Sequence, residues 1–221
     1  MSATISPIDG RYSAQTQSLI EVFSENALNQ ARVRVEIHYL IELTKELRII
    51  LPEDILNILM VKAYSLDKND LDKIYQYENK LKHDVKAIEY FIRDLLPDNL
   101  QPLVHIGLTS EDINNVAYAN IIRRGTTQLL DILLDVLIKL VDLADNTKDY
   151  VMMARTHGQP ASPVTFGKEI GVFISRMVRQ LHKIGSTEYL AKFSGATGTY
   201  AAMQIAYRGW ETGHYRDWET S

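Results

Sequence analysis

An all-α protein is the fold class that the sequence predicts, and three observations predict it. Apolar residues recur at three- and four-residue steps through most of the chain. No segment shows the two-residue alternation of a half-buried strand. Prolines and glycines gather at a few breaks between long periodic runs. The 221 residues suffice for one large domain or two small ones. Hydrophobic residues make up 46% and charged residues 24%, ordinary values for a globular chain, which excludes global disorder.

Several function classes fall away. A net charge of −4 argues against a nucleic-acid partner, so an anionic substrate would have to be met by a local cluster of donors. The absence of cysteine excludes disulfides, thiolate metal sites and a cysteine nucleophile. The start, Met1-Ser2-Ala3-Thr4-Ile5, lacks the basic and apolar regions of a signal peptide. No uninterrupted apolar run approaches ~20 residues. A cytoplasmic protein with no membrane partner is expected.

The elements follow in order. Residues 1–20 are expected as an irregular arm, with Pro7 and the turn-like Asp9-Gly10. A first helix is predicted over about 25–47, with Ala31 and Val35 on its apolar side. Pro52 opens a shorter helix, where its missing N–H costs little. One long helix is predicted over about 68–95, its stripe formed by Leu71, Ile74, Leu81, Val85, Ile88, Ile92 and Leu95. Pro97 and Pro102 break the pattern. Thr109-Ser110-Glu111-Asp112 then marks a helix start, because hydroxyls cap free N–H groups and acids favour the first turn. Gly125 is expected to end or kink that helix.

The stretch of about 127–145 is the most apolar. Asp131, Asp135, Lys139 and Asp142 share one narrow face, and most of the rest is Leu, Ile or Val. Such a helix must be buried against several neighbours, so a bundle completed by other subunits is expected. Residues 150–165, with Gly158, Pro160 and Pro163, are expected as a long functional loop. An amphipathic helix follows over about 165–184, with Ile170, Phe173, Met177, Leu181 and Ile184 on one side. The run 194–199 is a small-residue stretch where a backbone or ligand could approach closely. The last residues nearly repeat Arg208-Gly209-Trp210-Glu211-Thr212 as Arg216-Asp217-Trp218-Glu219-Thr220, without helical period. The expected organisation is a helical N-terminal domain, 1–112, part of a central helix-bundle domain, 113–207, and a tail foreign to the fold, 208–221.

Four places could carry chemistry. His157 sits in Arg155-Thr156-His157-Gly158-Gln159-Pro160, and an imidazole can trade a proton near neutral pH. The alternative is a loop histidine with structural hydrogen bonds only. His83-Asp84, adjacent on a helix, form no self-contained dyad, but a neighbouring cation could keep the carboxylate ionised and the imidazole oriented; the alternative is a solvated helix face. Thr109-Ser110 is a helix cap that could also receive phosphate or carboxylate. Arg11-Tyr12 could clamp a phosphate, or belong to a mobile arm. His38, His105, His182 and His214 are isolated, and no metal-ligand spacing, phosphate-binding loop or dinucleotide fingerprint occurs.

These motifs occur together in an order that resembles the bacterial adenylosuccinate lyase family of the fumarase/aspartase superfamily. The likeness rests on residues 6–12, on 82–91, on 109–115 and on 155–161, and spans about 5–207. It implies a long-helix bundle and a β-elimination that splits adenylosuccinate into AMP and fumarate. It implies the same cleavage of the succinyl-carboxamide ribotide of purine biosynthesis. By the resemblance His157 is the proton donor, Arg11 and Tyr12 hold the nucleotide, His83 and Asp84 contact substrate, and Thr109 and Ser110 bind a succinyl carboxylate. It implies no metal or organic cofactor, and a homotetramer with sites shared among subunits.

Two departures stand out. The family commonly has Asn where this chain has Lys82, so no role passes to Lys82. The family's base, a serine in a Gly-Ser-Ser loop followed by Met-Pro and Lys, has no counterpart here. The resemblance therefore implies a truncated chain, inactive alone. A lyase for another succinyl substrate and a non-catalytic helical scaffold are the competing expectations.

Overall fold

The structure, a computed structural model, describes residues 5–207. The expected tail, 208–221, lies outside the described residues. The fold is mostly helical, as the periodicity predicts, and divides into two compact units. The first holds the described residues up to Ile122 and those from Tyr189 on, and the second is Arg123–Glu188.

The first unit is built around α2, Glu25–Glu46. Ser24 starts it by accepting the Ala27 N–H at 3.2 Å. Around it lie α1 (Gln17–Phe23), α3 (Glu53–Tyr64), α4 (Lys68–Leu81) and α5 (Asp84–Arg93). Val33, Ile37 and Leu40 of α2 form one cluster with Leu59 of α3, Ile74 of α4, and Ile88, Phe91 and Ile92 of α5. Each such side chain contributes roughly 1.5–3 kcal/mol by leaving water. The helix starts behave as expected at Pro52, which precedes α3. At α4, Asp67 and Asp70 form a reciprocal capping box.

Three expectations in the first part of the chain need correction, and a fourth concerns residues 150–165. Helix α1 begins inside the stretch expected to be irregular. The single helix predicted over 68–95 is two helices. Lys82 adopts a left-handed conformation, φ 55°, and ends α4, after which His83 caps α5. The apolar spacing carries across this break from Leu81 to Val85, so periodicity alone does not reveal it. Gly125, expected as a stop or kink, lies inside one unbroken helix, α6, Ser110–Asn146. An interior glycine costs only about 1 kcal/mol, which a helix of 37 residues absorbs.

The second unit takes the later part of α6, from Arg123, then β1 (Val151–Thr156), β2 (Gln159–Thr165) and the whole of α7 (Phe166–Gly185). The expected loop at 150–165 is thus an antiparallel hairpin, the one sheet among the described residues. Its register runs from Val151 opposite Thr165 to Thr156 opposite Gln159, with a bulge between Met153 and Arg155. Both strands are largely exposed, so they carry no apolar alternation, and Pro160 and Pro163 disguise β2 further.

Gly167 seats the start of α7 against the end of α6. A Cβ there would overlap the Ala144 carbonyl oxygen, and the Gly167 N–H donates to the Thr147 carbonyl at 3.0 Å. No apolar side chain between 123 and 188 is buried. Ile132, Ile138 and Phe173 are each more than half exposed. The first unit is closed by the segment around α8, Ala201–Ala206, whose Met203 is buried with Tyr39 and Leu43. Among the described residues no helix is long and apolar enough to cross a membrane.

Candidate functional site

The α4–α5 junction places His83 and Asp84 together on one open cleft of about 500 Å³, lined also by Glu78, Asn79 and Lys82. His83 is the N-cap of α5, and its Nδ1 accepts the Lys86 N–H at 3.2 Å. A ring nitrogen that accepts carries no proton, so the neutral ring keeps its proton on Nε2. The Asp84 carboxylate is held from both sides. Its Oδ2 accepts from Arg32 Nη2 at 2.5 Å, and its Oδ1 accepts the Val85 N–H at 2.8 Å.

Thr109 and Ser110 stand at the start of α6. The Thr109 N–H donates to Asp112 Oδ2 at 2.8 Å. Asp112 is fully buried and also collects Lys192 Nζ at 2.8 Å, the Ser194 N–H at 2.9 Å and the Gly195 N–H at 3.1 Å. One carboxylate therefore ties the small-residue run after Ser194 to the helix start that bears the hydroxyls. The close approach anticipated there is real: Gly195, at φ 76°, brings the position of its missing Cβ within 3.2 Å of the Gly107 carbonyl oxygen.

The two motifs of this unit share a partner that sequence reasoning missed. Arg32 of α2 donates to Asp84 and, through Nε, to Asn114 Oδ1 at 2.9 Å. Little in the sequence signals it: Arg32 and Glu36 lie one turn apart on α2, but so many other polar residues, Arg34, His38 and Glu42 among them, share that helix that nothing singles the pair out. Glu36 is buried as well and bonds His105 Nδ1. Burial works to lower the His105 pKa, but the hydrogen bond and charge of Glu36, helped by Glu89, outweigh it and hold His105 above its ordinary value.

Arg11 and Tyr12 lie in the turns before α1, with the Arg11 guanidinium 5.7 Å from the Tyr12 ring centroid. Tyr12 is anchored by its N–H to the Pro7 carbonyl at 2.9 Å. Among the described residues no hydrogen bond or ion pair joins Arg11 or Tyr12 to the α5 or α6 helix starts.

His157 belongs to the second unit, at the tip of the hairpin. His157 at φ 49° and Gly158 at φ 75° are the two turn residues between Thr156 and its partner Gln159. Two successive positive φ values match the tight primed turn that suits the strand twist. Histidine tolerates that region better than most residues. The imidazole is exposed, so it is presented outward by a rigid turn instead of riding on a long irregular loop.

Known proteins fit this picture. Similar relatives include the adenylosuccinate lyase of Dictyostelium discoideum, 42% identical over 217 residues, 92% of this chain and 47% of the relative. Another is the adenylosuccinate lyase of Buchnera aphidicola subsp. Baizongia pistaciae, 38% identical over 92% of this chain and 46% of the relative. The chain spans about half the length of the curated relatives it matches. Among solved structures, a fumarate lyase from Mesorhizobium sp. BNC1 superimposes with a TM-score of 0.69 at 26% identity, over 85% of this chain and 44% of that one. A β-carboxy-cis,cis-muconate cycloisomerase from Acinetobacter calcoaceticus sp. ADP1, at 24% identity and a TM-score of 0.67, covers 85% of this chain and 45% of its own and shares the fold. Residues 10–212, nearly the whole chain, match the family described as "Lyase", and the chain belongs to that lyase family.

Proposed function

We propose that this chain is part of an adenylosuccinate lyase. The observation that carries the reading is the run of relatives of that name, 34–42% identical over 92% of the chain. In the proposed reaction a base removes a proton from the carbon next to a succinyl carboxylate. The carbon–nitrogen bond breaks, its electron pair goes to nitrogen, and His157 gives that nitrogen a proton. The products are AMP and fumarate. The succinyl-carboxamide ribotide of purine biosynthesis is a second substrate cleaved in the same way.

In this reading Arg11 and Tyr12 hold the nucleotide, and His83 and Asp84 contact the substrate from their cleft. Thr109 and Ser110 receive a succinyl carboxylate at the start of α6, where free N–H groups favour an anion. The His83 side chain is half exposed and its Nε2–H suits a donor role. The unburied apolar residues of α6 and α7 support a homotetramer in which other copies cover them. The enzyme is cytoplasmic and acts without metal or organic cofactor.

The test is spectrophotometric turnover. The intact gene product is expected to cleave adenylosuccinate, and failure with that substrate but success with another succinyl compound would replace the reading. The 221-residue chain alone is expected to show no turnover, because the serine base of the family has no counterpart in it.

A further inference from the structure

We infer that Arg32 is a positioning residue that holds the α5 and α6 helix starts in one frame, so that His83 and Ser110 meet substrate at a fixed separation. This rests on the adenylosuccinate lyase reading for the identity of the substrate, but not for the geometry.

Arg32 is 95% buried inside the first unit. A guanidinium taken from water costs several kcal/mol unless its donors are matched. Here three donors reach three acceptors: Nη2 to Asp84 at 2.5 Å, Nε to Asn114 at 2.9 Å, and Nη1 to Asn29 Oδ1 at 3.2 Å. Asn29 belongs to the same helix as Arg32, but Asp84 is the first residue of α5 and Asn114 the fifth of α6. The planar fork fixes the angle as well as the distance between its acceptors, which a lysine ammonium cannot do.

Each acceptor is one step from a proposed substrate group. Asp84 follows His83, and Asn114 lies one helical turn beyond Ser110, on the same face. Arg32 itself is too buried to touch substrate, so it acts through Asp84 and Asn114. Stability alone is a poor account of it, since apolar residues often replace buried ion pairs without loss.

The test uses the intact gene product and two readouts. One is the KM for adenylosuccinate, and the other is the ¹⁵N signature of the His83 ring, which reports which nitrogen carries the proton. In Arg32→Lys the KM is expected to rise about tenfold or more, with a smaller change in kcat, and the His83 signature to shift. Leu59→Ala, a core change in the same unit, is expected to lower stability and leave both readouts alone. If Arg32→Lys lowers stability but leaves KM and the His83 signature unchanged, Arg32 is only a structural cation and the inference is overturned. Should Arg32→Lys fail to fold, Asn114→Ala decides by the same two readouts. A wild-type protein without adenylosuccinate turnover would sink the functional reading, while an Arg32-dependent His83 signature would still support the positioning role.

Discussion

The ammonium of Lys192 lies 2.8 Å from the carboxylate of Asp112, which has no exposed side-chain surface. That carboxylate also accepts three backbone N–H groups, from Thr109, Ser194 and Gly195. Asp112→Ala would strand these donors and the cation together. A loss of about 3–5 kcal/mol is expected, and urea unfolding measures it. Asp112→Asn keeps one acceptor oxygen and is expected to lose less. A cost below about 1 kcal/mol for the alanine variant would mean that the cluster is not holding the α6 helix start.

The buried Glu36–His105 pair makes stability depend on pH. The folded state holds the His105 pKa above its ordinary 6.5, against burial and in favour of the Glu36 charge, with Glu89 adding to it and Lys86 opposing it. Folding therefore favours the protonated ring. Its contribution is full below pH 6.5 and fades as pH rises through the folded-state value. Urea midpoints measured from about pH 6 upward should fall over that window, and His105→Gln should flatten that slope. An unchanged slope in the variant would rule out His105 as its source.

Two glycines separate backbone strain from crowding. Gly158, at φ 75°, has nothing within 4 Å of the place a Cβ would take, so Gly158→Ala is expected to cost only about 1–2 kcal/mol, through the backbone. Gly107, at φ 76°, has Met203 Sδ and Cγ inside the space a Cβ would take, and Met203 is buried. Gly107→Ala adds overpacking to the same strain and is expected to cost about 2–5 kcal/mol. Thermal unfolding of the pair ranks them, and equal losses would contradict the crowding at Gly107.

His157→Ala in the intact gene product should remove the proposed proton donor. The expected fall in kcat is about 10²–10⁴-fold, with a smaller change in KM. Wild-type turnover in that variant would end the assignment and leave His157 as a turn residue.

Much of the helical order was legible because buried stripes leave a period in the sequence. Pro52 and Thr109 mark helix starts by local chemistry, and local chemistry survives folding. The α4–α5 break was hidden because Lys82 takes a left-handed conformation that a lysine does not advertise, while Leu81 and Val85 keep the apolar spacing. The hairpin was hidden because neither face of β1 or β2 is buried, and alternation records burial, not hydrogen bonding. His83, Asp84, Thr109 and Ser110 stood out as motifs, yet the residue that joins their helices did not. Arg32 lies 52 positions from Asp84 and 82 from Asn114, so only the folded chain brings them together.

Residues 123–188 contain two helices and a hairpin but no dry interior. For such a segment, folding free energy is not a property of the polypeptide by itself. In the proposed homotetramer other copies cover the apolar faces, and the stability of the segment then acquires a dependence on concentration through mass action. Dilution acts on it as a denaturant would, and a change on the covering surface can unfold it without touching any residue of the segment.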